Sequence, residues 1–124
     1  MRTRFEIDTR DGVSVGIARG ALTLEQSQEA AVALWRRAPE PPLRVLWDLC
    51  EARFDLTPDE VRRLAEFIKE NAPPGDLRTA FLVSGDLEFG LVRMFEVFRE
   101  TPDAKAAAFR DRESALAWLS GDAT

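Results

Sequence analysis

Residues 43–60 read LRVLWDLCEARFDLTPDE, and they carry both kinds of regular structure side by side. Leu43 to Leu49 is a short apolar run containing Val45 and Trp47, with Pro39, Pro41 and Pro42 before it and a polar loop after it, which predicts a buried strand. Thr57-Pro58-Asp59-Glu60 is the clearest helix start in the chain. The Thr hydroxyl can accept from first-turn amides, Pro suits the first helical position, and two acids complement the positive end of the helix dipole. Val61, Leu64, Ala65 and Ile68 then recur at helical spacing until Asn71, Pro73, Pro74 and Gly75 break the pattern.

The alternation of strand and helix continues in both directions. Upstream, Phe5 and Ile7 alternate with Glu6 and Asp8, while Val13, Val15 and Ile17 alternate with Ser14, Gly16 and Ala18, so Asp11-Gly12 reads as a hairpin turn. The second strand is predicted to end near Gly20. Thr23-Leu24-Glu25-Gln26 has capping-box spacing and opens a helix with Leu24, Ala31 and Trp35 on one stripe, Val32 and Leu34 on its flanks, and prolines beyond its end. Downstream, Thr79 to Val83 is a buried-strand candidate, and Ser84-Gly85-Asp86 turns into a third helix whose core stripe is Leu87, Leu91, Met94, Phe95 and Phe98, stopped by Thr101-Pro102. Ala106 to Phe109 reads as a last strand, and Asp111 caps a closing helix with Ala115, Leu116 and Leu119 inward and Gly121 past its end. The order β-β-α-β-α-β-α-β-α predicts one α/β domain: a mostly parallel five-stranded sheet with an N-terminal antiparallel hairpin and four helices.

The composition narrows the chemistry. The 124 residues carry 17 Lys+Arg against 22 Asp+Glu, a net charge of −5, and 45% of them are apolar, so a packed core is expected and binding to a phosphate backbone is disfavoured. A chain of this length buries roughly two-thirds of its unfolded surface and folds without metal or disulfide. No His is present, which removes His-based acid/base catalysis, His metal ligation and His-assisted nucleophiles. A single Cys cannot close an intrachain bridge, residues 1–11 are too charged for a signal peptide, and no apolar run approaches the ~20 residues of a membrane span; a cytoplasmic location follows as the expectation.

Beyond these patterns, Val45-Leu46-Trp47-Asp48-Leu49, Phe54-Asp55-Leu56-Thr57-Pro58, Phe89-Gly90, Arg93-Met94-Phe95, Phe109-Arg110-Asp111 and Ala115-Leu116-Ala117-Trp118-Leu119 together resemble the SpoIIAA-like proteins of the STAS/SEC14-related group. The resemblance spans nearly the whole chain and implies a β-α superhelix whose strands advance in order with helices chiefly on one face. It implies little chemistry. Many such proteins resemble small bacterial proteins of unassigned role, the anti-sigma factor antagonists bind a kinase partner, and the SEC14 branch binds lipids in an apolar cavity. The antagonists carry a phosphorylatable Ser in an Asp-Ser-Ser-Gly stretch; the matching Asp55-Leu56-Thr57-Pro58 keeps the Asp and one hydroxyl and has Pro in place of Gly, so Thr57 reads as an ordinary N-cap rather than a phospho-switch.

Several residues remain as site candidates. Cys50 lies just past the carboxyl end of a predicted strand, where open α/β sheets place ligands, but without His a structural thiol is the expectation. Asp48, Glu51 and Asp55 are acidic neighbours whose spacing fits no recognised cation loop, and no metal or cofactor is expected. Gly20-Ala21-Leu22 stands where a receiver domain would place its acidic pair. Ser84-Gly85 lacks the phosphate-loop ending and reads as a turn; Arg36-Arg37 and Arg62-Arg63 read as solvated surface pairs. On the third helix, Phe89 projects about 180° from the core stripe, and Val92 and Val97 also fall outside it. The expectation is a non-enzymatic binding or regulatory module, working through a protein partner or homodimer by way of Phe89, Val92 and Val97 and the loop that holds Cys50, Asp55, Leu56 and Thr57. The alternative is a carrier of an apolar small molecule or lipid.

Overall fold

A computed structural model describes residues 4–10, 12–38, 40, 42–99, 101 and 103–121, with the side chains of residues 4, 5 and 10 outside the description. Asp11, Pro39, Pro41 and Pro102, read above as turn and stop residues, and the Phe5 side chain therefore lie outside the described residues. The hairpin joins β1 (Arg4–Arg10) to β2 (Val13–Leu22), with Gly12 at φ 78° in the turn, a conformation that glycine adopts without steric penalty. Then follow α1 (Leu24–Arg37), β3 (Leu43–Phe54), α2 (Pro58–Asn71), β4 (Leu77–Leu82), α3 (Asp86–Arg99), β5 (Ala104–Phe109) and α4 (Arg112–Leu119). The sheet runs β1-β2-β3-β4-β5, antiparallel between β1 and β2 and parallel thereafter, as the alternating pattern predicts.

The helix starts are the ones the sequence announces. Gln26 N–H donates to Thr23 Oγ1 at 3.2 Å while Thr23 N–H donates to Gln26 Oε1 at 3.2 Å, and Thr57 and Glu60 repeat this exchange at 3.2 and 3.0 Å. Ser114 N–H donates to Asp111 Oδ1 at 2.8 Å to start α4.

Strand parity then divides the core into two layers. Leu43, Val45, Trp47 and Leu49 of β3 face the side covered by α1, α2 and α3, where Ala30, Leu34, Val61, Leu91 and Phe95 are buried. Leu46, Ala80 and Leu82 face the opposite side and cluster with Ala115 and Leu119 of α4, with Val13, Val15, Phe109 and Trp118 packed around them. Three helices thus lie on one face and a two-turn helix on the other.

Five expectations need correction. β3 does not stop at Leu49 but continues to Phe54, and β2 reaches Leu22. Between Ile17↔Asp48 and Arg19↔Glu51 the pairing gains one residue on β3, so Leu49 and Cys50 together oppose Ala18 in a β-bulge. The bulge shifts the alternation by one, after which Ala52 and Phe54 rejoin the three-helix side. On α1 the fully buried residues are Ala30 and Leu34, because Ala31 and Trp35 turn toward α2, where Trp35 stacks on Phe67 with centroids 6.4 Å apart. On α3 the inward stripe is Leu91, Val92, Phe95 and Arg99; Val92 is 3% exposed, whereas Leu87, placed at the first turn beyond the ends of the strands, is 65% exposed. The phase differs because α3 packs against α2 as well as the sheet, with Met94 and Phe98 half-buried toward α2. Leu116 of α4 is 39% exposed, since a helix of eight residues lays only the Ala115–Leu119 row on the sheet.

Candidate functional site

Between the three-helix layer and the sheet lies a cavity of about 110 Å³. Its floor is built by an unusual close approach: Gly16 of β2 pairs with Trp47 of β3, and a Cβ on Gly16 would lie 2.3 Å from the Trp47 ring, so the missing side chain is what lets the indole lie down on the sheet. Leu34 and Trp35 from α1, Leu64 and Ile68 from α2, and Leu91 and Phe95 from α3 form the walls and roof. Small side chains open the space. Ala30 and Ala31 stand where larger residues of α1 would fill it, and Ala104 and Ala106 of β5 do the same at the far edge of the sheet. A void of this order in an apolar setting is stable when dry and admits small hydrophobes; a comparable engineered void of about 150 Å³ takes up benzene.

Two charged residues belong to this lining, the exposed Lys105 of β5 and the buried Arg99. Arg99, in the last turn of α3, is 7% exposed and lines the cavity, and among the described residues its guanidinium has no hydrogen bond or ion pair. Burial holds its pKa below the ordinary arginine value, with no neighbouring carboxylate to raise it. The carboxyl end of α3 is the right place for a cation, but that interaction is worth about 0.3–1 kcal/mol, up to about 2 when partly buried. Desolvating a lone charge costs several kcal/mol. The side chain is mostly buried, and the edge of its guanidinium that keeps contact with solvent is what spares it that full cost. Arg99 lies four residues after Phe95 and eight after Leu91, so its spacing alone places it on their inward stripe.

The residues put forward from the sequence separate into different places. Val92 is in the core beside the cavity and is not available to a partner. Phe89 is half-buried, packed against the main core with the Arg110 guanidinium 4.5 Å above its ring. Val97 is 74% exposed. It falls on one outward side of α3 with Leu87 and Gly90, beside the half-buried Met94, and nothing lies within 4 Å of where a Gly90 Cβ would be.

The stretch read as a loop is half strand. Cys50 is exposed in the bulge; its N–H donates to Asp48 Oδ1 at 3.1 Å, its carbonyl accepts from Ser84 Oγ at 3.2 Å, and its thiol points at the Leu82 carbonyl 3.9 Å away. Burial of the sulfur and the Asp48 carboxylate push the thiol pKa up, so Cys50 stays protonated near neutrality and is a poor nucleophile. The three acids do not converge: Asp48 accepts from Arg112 at 3.0 Å, Glu51 from Arg19 at 3.0 Å, and Asp55 is exposed beyond the end of β3. Among the described residues no three His, Cys, Asp or Glu side chains gather to hold a metal. Leu56 lines the cavity, and Thr57 is occupied as the α2 cap.

No helix among the described residues is long and apolar enough to cross a membrane. Neither a family model nor a curated protein sequence matches the chain. Among solved structures, the chain is similar to an uncharacterized protein from the DUF3478 family with a SpoIIAA-like fold from Shewanella loihica PV-4. The two share 21% identity and a TM-score of 0.63, over 94% of this chain and 93% of that one.

Proposed function

From a SpoIIAA-like fold that is hollow on its three-helix side, we propose that this chain is a non-enzymatic binding protein that takes a small apolar ligand between the helices and the sheet. The observation that carries the reading is the cavity of about 110 Å³ beneath α1, α2 and α3, walled almost entirely by aliphatic and aromatic side chains. No imidazole is available for proton transfer near neutral pH, and the one thiol is protonated, which supports binding over turnover. Titration with 1-hexanol, followed by NMR shifts of the methyl groups around the cavity, tests this. Saturable shifts at Leu34, Leu91 and Ile68 that disappear in Ala30→Leu, which fills part of the void, are the expected result. An unshifted spectrum at high hexanol rejects the reading.

A second reading rests on a separate observation, the outward side of α3 that carries Leu87, Gly90 and Val97. Two strongly exposed aliphatic side chains flanking an open glycine suit close approach by another helix, so association with a protein partner or a second copy runs through this side. Sedimentation velocity tests self-association: a dimer in the wild type that becomes a monomer in Leu87→Asp/Val97→Asp is expected, and a monomer at all concentrations removes the self-pairing form.

A further inference from the structure

Arg99 has a consequence for what the cavity binds, and this inference rests on the proposed ligand-binding reading. A guanidinium is the side chain least able to shed its charge, so one that is mostly buried at an apolar cavity and makes no bond within the described residues is well placed to take an anion from outside the chain. Arg99 is more than nine-tenths buried, lines the cavity, and among the described residues is paired with nothing. It lines the cavity together with Leu77 and Thr79 of β4 and Ala104 of β5, and apart from Ser27, Thr79 and the exposed Lys105 the remaining lining is apolar. We propose that the cavity takes an amphipathic anion: a carboxylate held by the Arg99 guanidinium, with a short unbranched apolar tail lying over Trp47 and beneath α2. A carboxylate fits better than a phosphate monoester, because the fork of a single guanidinium matches a singly charged, planar pair of oxygens, and the other cation of the lining, Lys105, is exposed and solvated rather than buried against the ligand. The void sets the tail at a few carbons rather than a full membrane-lipid chain.

The test compares hexanoate with 1-hexanol, which share the tail and differ in charge, by calorimetric or NMR titration at neutral pH. Wild type is expected to bind hexanoate at least about tenfold more tightly than hexanol, a charge-assisted hydrogen-bonding difference. Arg99→Met should bind the two alike, and Arg99→Lys should keep part of the preference. Without ligand, Arg99→Met should melt at or above the wild-type temperature, since an apolar side chain of similar length relieves the unpaired charge; hexanoate should raise the melting temperature of wild type but not of Arg99→Met. Equal affinity of wild type for hexanoate and hexanol, with both lost in Ala30→Leu, overturns the anion anchor and leaves the apolar cavity standing. Binding of neither compound overturns the cavity reading and the anchor with it. The wild-type comparison needs no variant, so poor folding of Arg99→Met leaves the proposal open to refutation.

Discussion

Gly16 lies across from Trp47, and the indole occupies the space a side chain would need. Gly16→Ala must push that ring upward into the cavity or spread β2 from β3, and overpacking of this kind costs typically 1–3 kcal/mol. A urea melt of Gly16→Ala should give a lower midpoint with an unchanged slope; an unaltered midpoint would mean that the ring moves freely. At the same scale, Cys50 should react slowly with iodoacetamide at pH 7 despite its exposure, and its rate should rise only in alkali, because burial of the sulfur and Asp48 hold the thiol protonated.

Individual helices show which sequence patterns determine placement and which do not. On α3 the periodicity identified a helix with two apolar sides, yet the phase depended on neighbours that no local pattern reveals: α2 and the sheet together draw Val92 inward and leave Leu87 and Val97 outside. Phe95→Ala should therefore cost about 3–5 kcal/mol, whereas Val97→Asp should stay within about 0.5 kcal/mol of wild type, as read from thermal melts. Phe89→Asp is a poor probe of association, since Phe89 is packed against the core beneath Arg110 and its loss disturbs the fold. The capping signals were legible because Thr23, Thr57 and Asp111 act within four residues of themselves. The second half of β3 was not, because the bulge sets Cys50 and Glu51 next to each other on the solvent-facing course and breaks the two-residue rhythm by which a strand is recognised. The cavity was likewise hidden, since it is a product of three helices meeting over one sheet and composition at any single position does not encode a space between elements; of Arg99 only the place on the inward stripe with Leu91 and Phe95 was legible, not its role in the lining.

For the molecule as a whole, the absence of His leaves side-chain titrations concentrated in the acid range. Asp76 is held below the usual carboxylate range chiefly by its hydrogen bond from Arg44, Asp59 by Arg62, and Asp111 by the Ser114 backbone. A carboxylate with a depressed folded-state pKa stabilises the protein above its unfolded pKa of about 3.9, and that contribution is lost as the pH falls through the folded value. Melting temperature should accordingly stay nearly level from pH 8 to 5.5 and drop below pH 4, with a shallower drop in Asp76→Asn; a midpoint of loss near pH 6 would contradict this assignment. The hollow beneath the helices adds a response of another kind. Unfolding removes the imperfectly packed space between helices and sheet, and 110 Å³ per molecule corresponds to at most ~66 mL/mol, within the usual span of unfolding volumes. Hydrostatic compression should thus denature this protein more readily than a fully packed one of equal thermal stability, and Ala30→Leu or a bound hexanoate, by occupying the vacancy, should make it more pressure-resistant.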